Sequence, residues 1–126
     1  MKPTFINPKE LGEPRGFNHG VLYPGGRILF LAGQNGGTGD FAAQFEHALR
    51  RIVAVIKEAG GKPEHLGVLN IFVTSKAEYG AARKQIGRAW KKLLGRHYPA
   101  MAMYEVKSLW EETAKVELEG IAVLPK

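Results

Sequence analysis

The sequence predicts a mixed α/β (α+β) domain with the element order β-β-α-β-α-β-β and both helices on one face of the sheet. Three observations predict it. Short apolar runs bounded by glycine and proline read as strands, and two longer segments carry apolar residues at helical spacing. Strand-to-strand connections through those helices cross over in the right-handed sense, which places both helices on the same side.

The elements follow in order. Pro3, Pro8 and Pro14 make 1–15 an extended lead-in to a single domain spanning 1–126. Phe17 to Tyr23 is a first strand and Pro24-Gly25-Gly26 a turn. Arg27 to Ala32 is a second strand with the apolar run Ile28-Leu29-Phe30-Leu31. The glycine-rich loop Gly33 to Gly39 leads to Asp40, a helix N-cap. Phe41, Phe45, Leu49, Ile52, Ile56 and Ala59 form the stripe of the first helix, which Gly60-Gly61 ends. Leu66 to Thr74 is a third strand, apolar on both sides. Ser75 and Glu78 form a capping box for a second helix with the stripe Tyr79, Ala82, Ile86, Ala89, Trp90 and Leu93. Met101 to Lys107 and Lys115 to Leu124 are the last two strands.

Composition narrows the function classes. Of 126 residues, 44% are hydrophobic and 24% charged, the usage of a folded globular domain. The absence of cysteine excludes disulfides, a thiolate nucleophile and cysteine-ligated zinc. No apolar run reaches signal-peptide or membrane-spanning length, so a cytoplasmic protein without membrane contact is the expectation. The net charge of +6 is concentrated on the second helix at Arg83, Lys84, Arg88, Lys91, Lys92 and Arg96. These read as a solvated face, and nucleic acid is not the expected partner. His19, His47, His65 and His97 show no metal-ligand spacing, so neither a metal nor a cofactor is expected. Gly37 to Ala42 matches a loose G-x-G-x-x-A pattern, but it starts several residues after the strand and contains Asp40. A helix-capping loop is the reading.

Two helices cover only one face of the sheet, yet the second and third strands are apolar on both. A large bare apolar face is not stable on a soluble monomer, so the pattern calls for association, with cyclic symmetry the simplest solution.

Five pieces, in order and spacing, resemble the RidA/YjgF family over about Gly16 to Val123. They are Gly33-Gln34, Ala43-Gln44, Ala59-Gly60, Tyr98-Pro99-Ala100 and Val116-Glu117-Leu118-Glu119-Gly120-Ile121-Ala122. The resemblance implies a chorismate-mutase-like fold, a homotrimer whose sheets form an inner barrel, and small-molecule clefts between subunits. It implies hydrolysis of reactive enamines and imines to keto acids and ammonia. Typical members carry an arginine after the Pro-Ala pair that clamps the substrate carboxylate, and a glutamate on the last strand that handles water. Glu117 stands at the glutamate position and Gly33 and Gln34 at the family's Gly-Gln. Met101 stands at the arginine position, Phe17 where many members have tyrosine, and Ala32 where many have serine. Methionine packs against apolar ligands and holds no carboxylate. The sequence leaves open whether another cation, such as Arg15 or Lys84, takes the place of that arginine.

The candidate site is therefore Glu117 as the catalytic carboxylate, with Phe17, Asn18, His19, Gly33, Gln34, Met101 and Met103 around the ligand. Glu117 and Glu119 share one strand face, as do Met101, Met103 and Glu105; pairing of the last two strands would gather these carboxylates at one cleft. The plainer reading is that the glutamates are salt-bridged at a subunit seam, to Arg15 or Lys107. His19 is a proton shuttle or a partly exposed strand histidine. Three functions follow: a hydrolytic deaminase of a reactive imine, enamine or related metabolite; a non-catalytic metabolite-binding module; and, third, RNA binding or endoribonuclease-like cleavage.

Overall fold

In the computed structural model, which describes residues 2–126, the chain is a four-stranded sheet with helices on one face and a small two-stranded sheet beside it. Met1, the first residue of the lead-in, lies outside the described residues. The strands are β1 (Thr4–Ile6), β2 (Gly20–Leu22), β3 (Arg27–Asn35), β4 (Leu66–Val73), β5 (Ala100–Glu105) and β6 (Val116–Leu124). The helices are α1 (Phe41–Glu58), α2 (Lys76–Ala81) and α3 (Arg83–Leu94). The main sheet has the order β3-β6-β4-β5, with β6 antiparallel to both neighbours and β4 parallel to β5.

Local chemistry explains the helices. The Asp40 carboxylate accepts the Ala43 amide at 2.9 Å and starts α1. Gly60, at φ +90°, reverses the chain so that its amide reaches the Lys57 carbonyl and the Gly61 amide reaches Ile56, the two bonds of a Schellman motif. Phe45, Leu49, Ile52 and Ile56 are fully buried against Leu69, Val116 and Leu118 of the sheet. Ile86, Trp90 and Leu94 of α3 complete the core.

Several expectations are corrected. The first strand does not join the main sheet: only Gly20–Leu22 is strand, and it pairs antiparallel with Thr4–Ile6 of the lead-in. The Tyr23 hydroxyl donates to the carbonyls of Glu64 and Leu66, and Asn18 bridges Ala100, so the segment is drawn to the β4–β5 side instead of lying along β3. The second strand continues through Gly33-Gln34 to Asn35, with a bulge between Leu31 and Gln34. The second helix is broken at Ala82 into α2 and α3. Its capping box is half made: the Ser75 hydroxyl accepts the Glu78 amide, but the Glu78 carboxylate turns to the Lys115 ammonium at 2.9 Å.

The third strand is covered on one face only. Along β4 the residues Leu69, Ile71 and Val73 are buried by the helices, while Val68, Asn70 and Phe72 on the other face are half-exposed. Ile28 and Phe30 of β3 extend that bare face and are 63% and 74% exposed, and Tyr104 of β5 is 51% exposed. No helix among the described residues is long and apolar enough to cross a membrane.

Candidate functional site

β4 lies between β5 and β6, so the last two strands do not pair and do not bring their carboxylates together. Register decides the faces. Met101, Met103 and Glu105 stand opposite Leu69, Ile71 and Val73, on the helix side; Glu117 and Glu119 stand opposite Phe72 and Asn70, on the bare side. The Glu105 carboxylate accepts the Lys76 amide at 2.8 Å, where it helps start α2.

On the bare side the Glu117 side chain lies over Gly33. A Cβ built on Gly33 would sit 2.9 Å from both Cδ and Oε2 of Glu117, closer than real contacts permit, so only glycine leaves the carboxylate its place. The bulge that precedes Gln34 brings Gly33 to this position. Among the described residues the Glu117 carboxylate has no ion-pair or hydrogen-bond partner, and neither Arg15 nor Lys107 reaches it. Glu119 accepts a long bond from the Asn70 amide at 3.5 Å. A half-buried carboxylate with free lone pairs is suited to orienting water or taking its proton.

On the helix side, at the β5 edge, Phe17, Ile71, Tyr79, Met101 and Met103 line a hollow of about 250 Å³, with Arg15 also on its wall. An adjoining hollow of about 180 Å³ shares Ile71, Tyr79 and Met101 and extends to Trp90, Tyr98 and Arg83. Trp90 and Tyr98 stack with ring centres 5.7 Å apart, and the Trp90 indole donates to the His97 carbonyl. Burial raises the pKa of the Tyr79 phenol, and the nearby Arg83 guanidinium works in the opposite direction. Lys84 lines neither Met101 hollow; it lines a surface hollow with Arg88 and with Arg83, which stands between the two.

Asn18 and His19 hold backbone. The Asn18 side chain donates to the Tyr98 carbonyl at 2.6 Å and accepts from Asn7, while its amide donates to the Pro99 carbonyl. The His19 ring donates to the Gly12 carbonyl at 3.2 Å and packs edge-on against Phe17. Gln34 faces the helices, where its carbonyl accepts from Arg51 at 3.0 Å. Of the expected site residues, the fold thus groups Phe17, Met101 and Met103 at one hollow and Gly33 with Glu117 on the opposite face.

Three comparisons bear on this arrangement. The family profile described as Endoribonuclease L-PSP matches residues 10–124. The RutC family protein y4sK of Sinorhizobium fredii is 30% identical over 107 residues, which cover 79% of this chain and 81% of that protein. The chain belongs to the RidA/YjgF family. Among solved structures, YyfB of the conserved Rid family from Yersinia pestis superposes with a TM-score of 0.83 at 29% identity, covering 98% of this chain and all of that one. Rv2704 of Mycobacterium tuberculosis, from the YjgF/YER057c/UK114 family, gives 0.68 at 27% identity, with 98% and 100% covered.

Within the RidA/YjgF frame, each recognisable sequence piece has a physical task in this chain. Gly33 makes room for Glu117. Gln44 is buried under the 106–115 loop: its amide nitrogen donates to the carbonyls of Gly39 and Thr113, and its carbonyl accepts the Lys115 amide at 2.8 Å. Tyr98 and Pro99 supply the carbonyls that receive Asn18. Tyr79, Trp90 and Tyr98 were not among the expected site residues, although they share the Met101 hollows. Tyr79 and Trp90 lie on the helical apolar stripe, which marks them as core; only the packing of α2 and α3 beside β5 shows that they also line a hollow.

Proposed function

We propose that the chain is a cytoplasmic, single-domain homotrimer that hydrolyses a small reactive imine, enamine or related metabolite at clefts between subunits. The observation that carries this reading is the pairing of Glu117 with Gly33, a carboxylate without an internal partner on an uncovered apolar face. Three copies covering that face around a cyclic axis would bury Ile28, Phe30 and Tyr104. The sheet has β3 and β5 as its edges, so cyclic closure sets the β5 edge of one copy against the β3 edge of the next. The Met101 hollow at the β5 edge of one subunit then lies beside the β3 edge of its neighbour, the strand that carries Gly33.

The chemistry balances with one water. Glu117 takes a proton from water as the oxygen adds to the imine carbon. The nitrogen takes one proton back from Glu117 and the second from the added hydroxyl as the C–N bond breaks, so a ketone and ammonia leave and the carboxylate is restored. A second reading, a metabolite-binding module without turnover, is favoured by the apolar hollow around Met101, which carries a thioether where the family's arginine stands.

Keto-acid release from enzymatically generated 2-aminoacrylate tests both. Acceleration by the natural chain that Glu117→Gln abolishes supports the hydrolase. Ligand binding with no turnover across imines and enamines supports the binding module.

A further inference from the structure

We propose that Arg15 and Arg83 form an anion clamp for the Met101 hollow, which takes a small carboxylate with an aromatic or branched apolar body. This rests on the reading that the hollow is the ligand cleft.

The walls are apolar: Phe17 and Met101 with Ile71, then Trp90. Individually the two hollows, about 250 and 180 Å³, are smaller than sites for drug-sized ligands. Such sites run to roughly 300–1,000 Å³, so a metabolite of one ring or one branched chain is the fitting size. No acidic residue lines either hollow, whereas Arg15 lines one and Arg83 the other. Three other arginines are spent on internal contacts: Arg27 on the Pro125 carbonyl, Arg50 on Glu46, Arg51 on Gln34; Arg88 and Arg96 line neither hollow. Arg15 and Arg83 have no ion pair or side-chain hydrogen bond among the described residues, nor does the Tyr79 hydroxyl have a partner.

Arg83 is also placed against its own helix. It opens α3, whose first turn carries no acidic residue, so its charge faces the positive end of the helix dipole. A bound carboxylate relieves that repulsion and gains forked, charge-assisted bonds. Met101 at the family's arginine position fits this arrangement. The anion-binding charge is displaced to the rim of the hollow, and the thioether is left to pack the apolar body.

The test is titration of the full-length protein with its methionine methyls carbon-13 labelled, Met101 assigned through Met101→Leu. The probes are phenylpyruvate, pyruvate, neutral phenylacetamide and phenyl phosphate. Phenylpyruvate is expected to shift the Met101 methyl and to bind more tightly than pyruvate. Arg15→Gln and Arg83→Gln should each weaken it about tenfold, against less than about twofold for phenylacetamide. Arg15→Lys should recover part of the loss. If phenylpyruvate shifts Met101 equally in all variants, the clamp is wrong and the cleft reading stands. If no probe shifts Met101, the cleft reading falls and the clamp with it. Tighter binding of phenyl phosphate than of phenylpyruvate overturns the carboxylate class.

Discussion

The Glu117 carboxylate occupies the space that a side chain on Gly33 would fill, 2.9 Å from where its Cβ would stand. A backbone position and a functional group on adjacent strands are thereby made interdependent. Gly33→Ala must push the carboxylate aside. We expect it to lower any Glu117-dependent turnover by about tenfold or more, and to show no further loss when combined with Glu117→Gln. Initial rates for the two single variants and the double variant check this. Full multiplicative loss in the double variant would show that the two residues act independently.

Met101→Arg restores the family's charge in the hollow that Phe17, Ile71 and Tyr79 surround. The variant should release keto acid from 2-aminoacrylate faster than the natural chain. Its longer, charged side chain should cost about 1–3 kcal/mol of stability, read from denaturant melts. Unchanged rates in a folded variant would argue that carboxylate recognition lies elsewhere.

Phe30 is 74% exposed on the bare sheet face, in line with Ile28. Phe30→Lys should therefore leave the monomer core intact while reducing association. Light scattering after size exclusion should read a trimer for the natural chain and monomers for the variant. A variant that stays trimeric would mean that another surface holds the copies together.

Two buried histidines make stability fall with acid. His65 Nδ1 accepts the Lys62 amide, and His97 Nε2–H donates to the Leu66 carbonyl at 2.6 Å. Burial lowers the pKa of both below the ordinary 6.5, against smaller raising effects from Glu64 and, at His97, the Leu66 hydrogen bond. The unfolded chain therefore takes up protons first. The contribution of these groups is complete above about pH 6.5 and is lost as pH falls through their lower folded values. Melting temperatures of His97→Gln across that range should lose part of the acid slope.

Gln44 is 1% exposed and makes three hydrogen bonds, to Gly39, Thr113 and Lys115. Gln44→Ala would orphan those groups and free the 106–115 loop, at a cost of about 2–4 kcal/mol. Hydrogen exchange should rise selectively at the Lys115 amide.

Much of the fold was legible because local chemistry set it. Asp40, Gly60 and the spacing from Phe41 to Ile56 determine α1 wherever it packs, and the alternation from Val116 to Leu124 determines β6. The surplus of apolar residues on β3 and β4 also announced a face that this chain alone leaves bare. The tertiary structure decided what depends on order and register. The insertion of β4 between β5 and β6 separates Met101 from Glu117, because adjacent residues on a strand point to opposite faces and no local signal encodes which strands are neighbours. The bulge after Leu31 seats Gly33 under Glu117, and the lead-in, α2 and α3 meet near the β5 edge, where Arg15, Tyr79 and Arg83 line hollows with Met101. These are contacts between residues distant in sequence, created only when the helices close over the sheet.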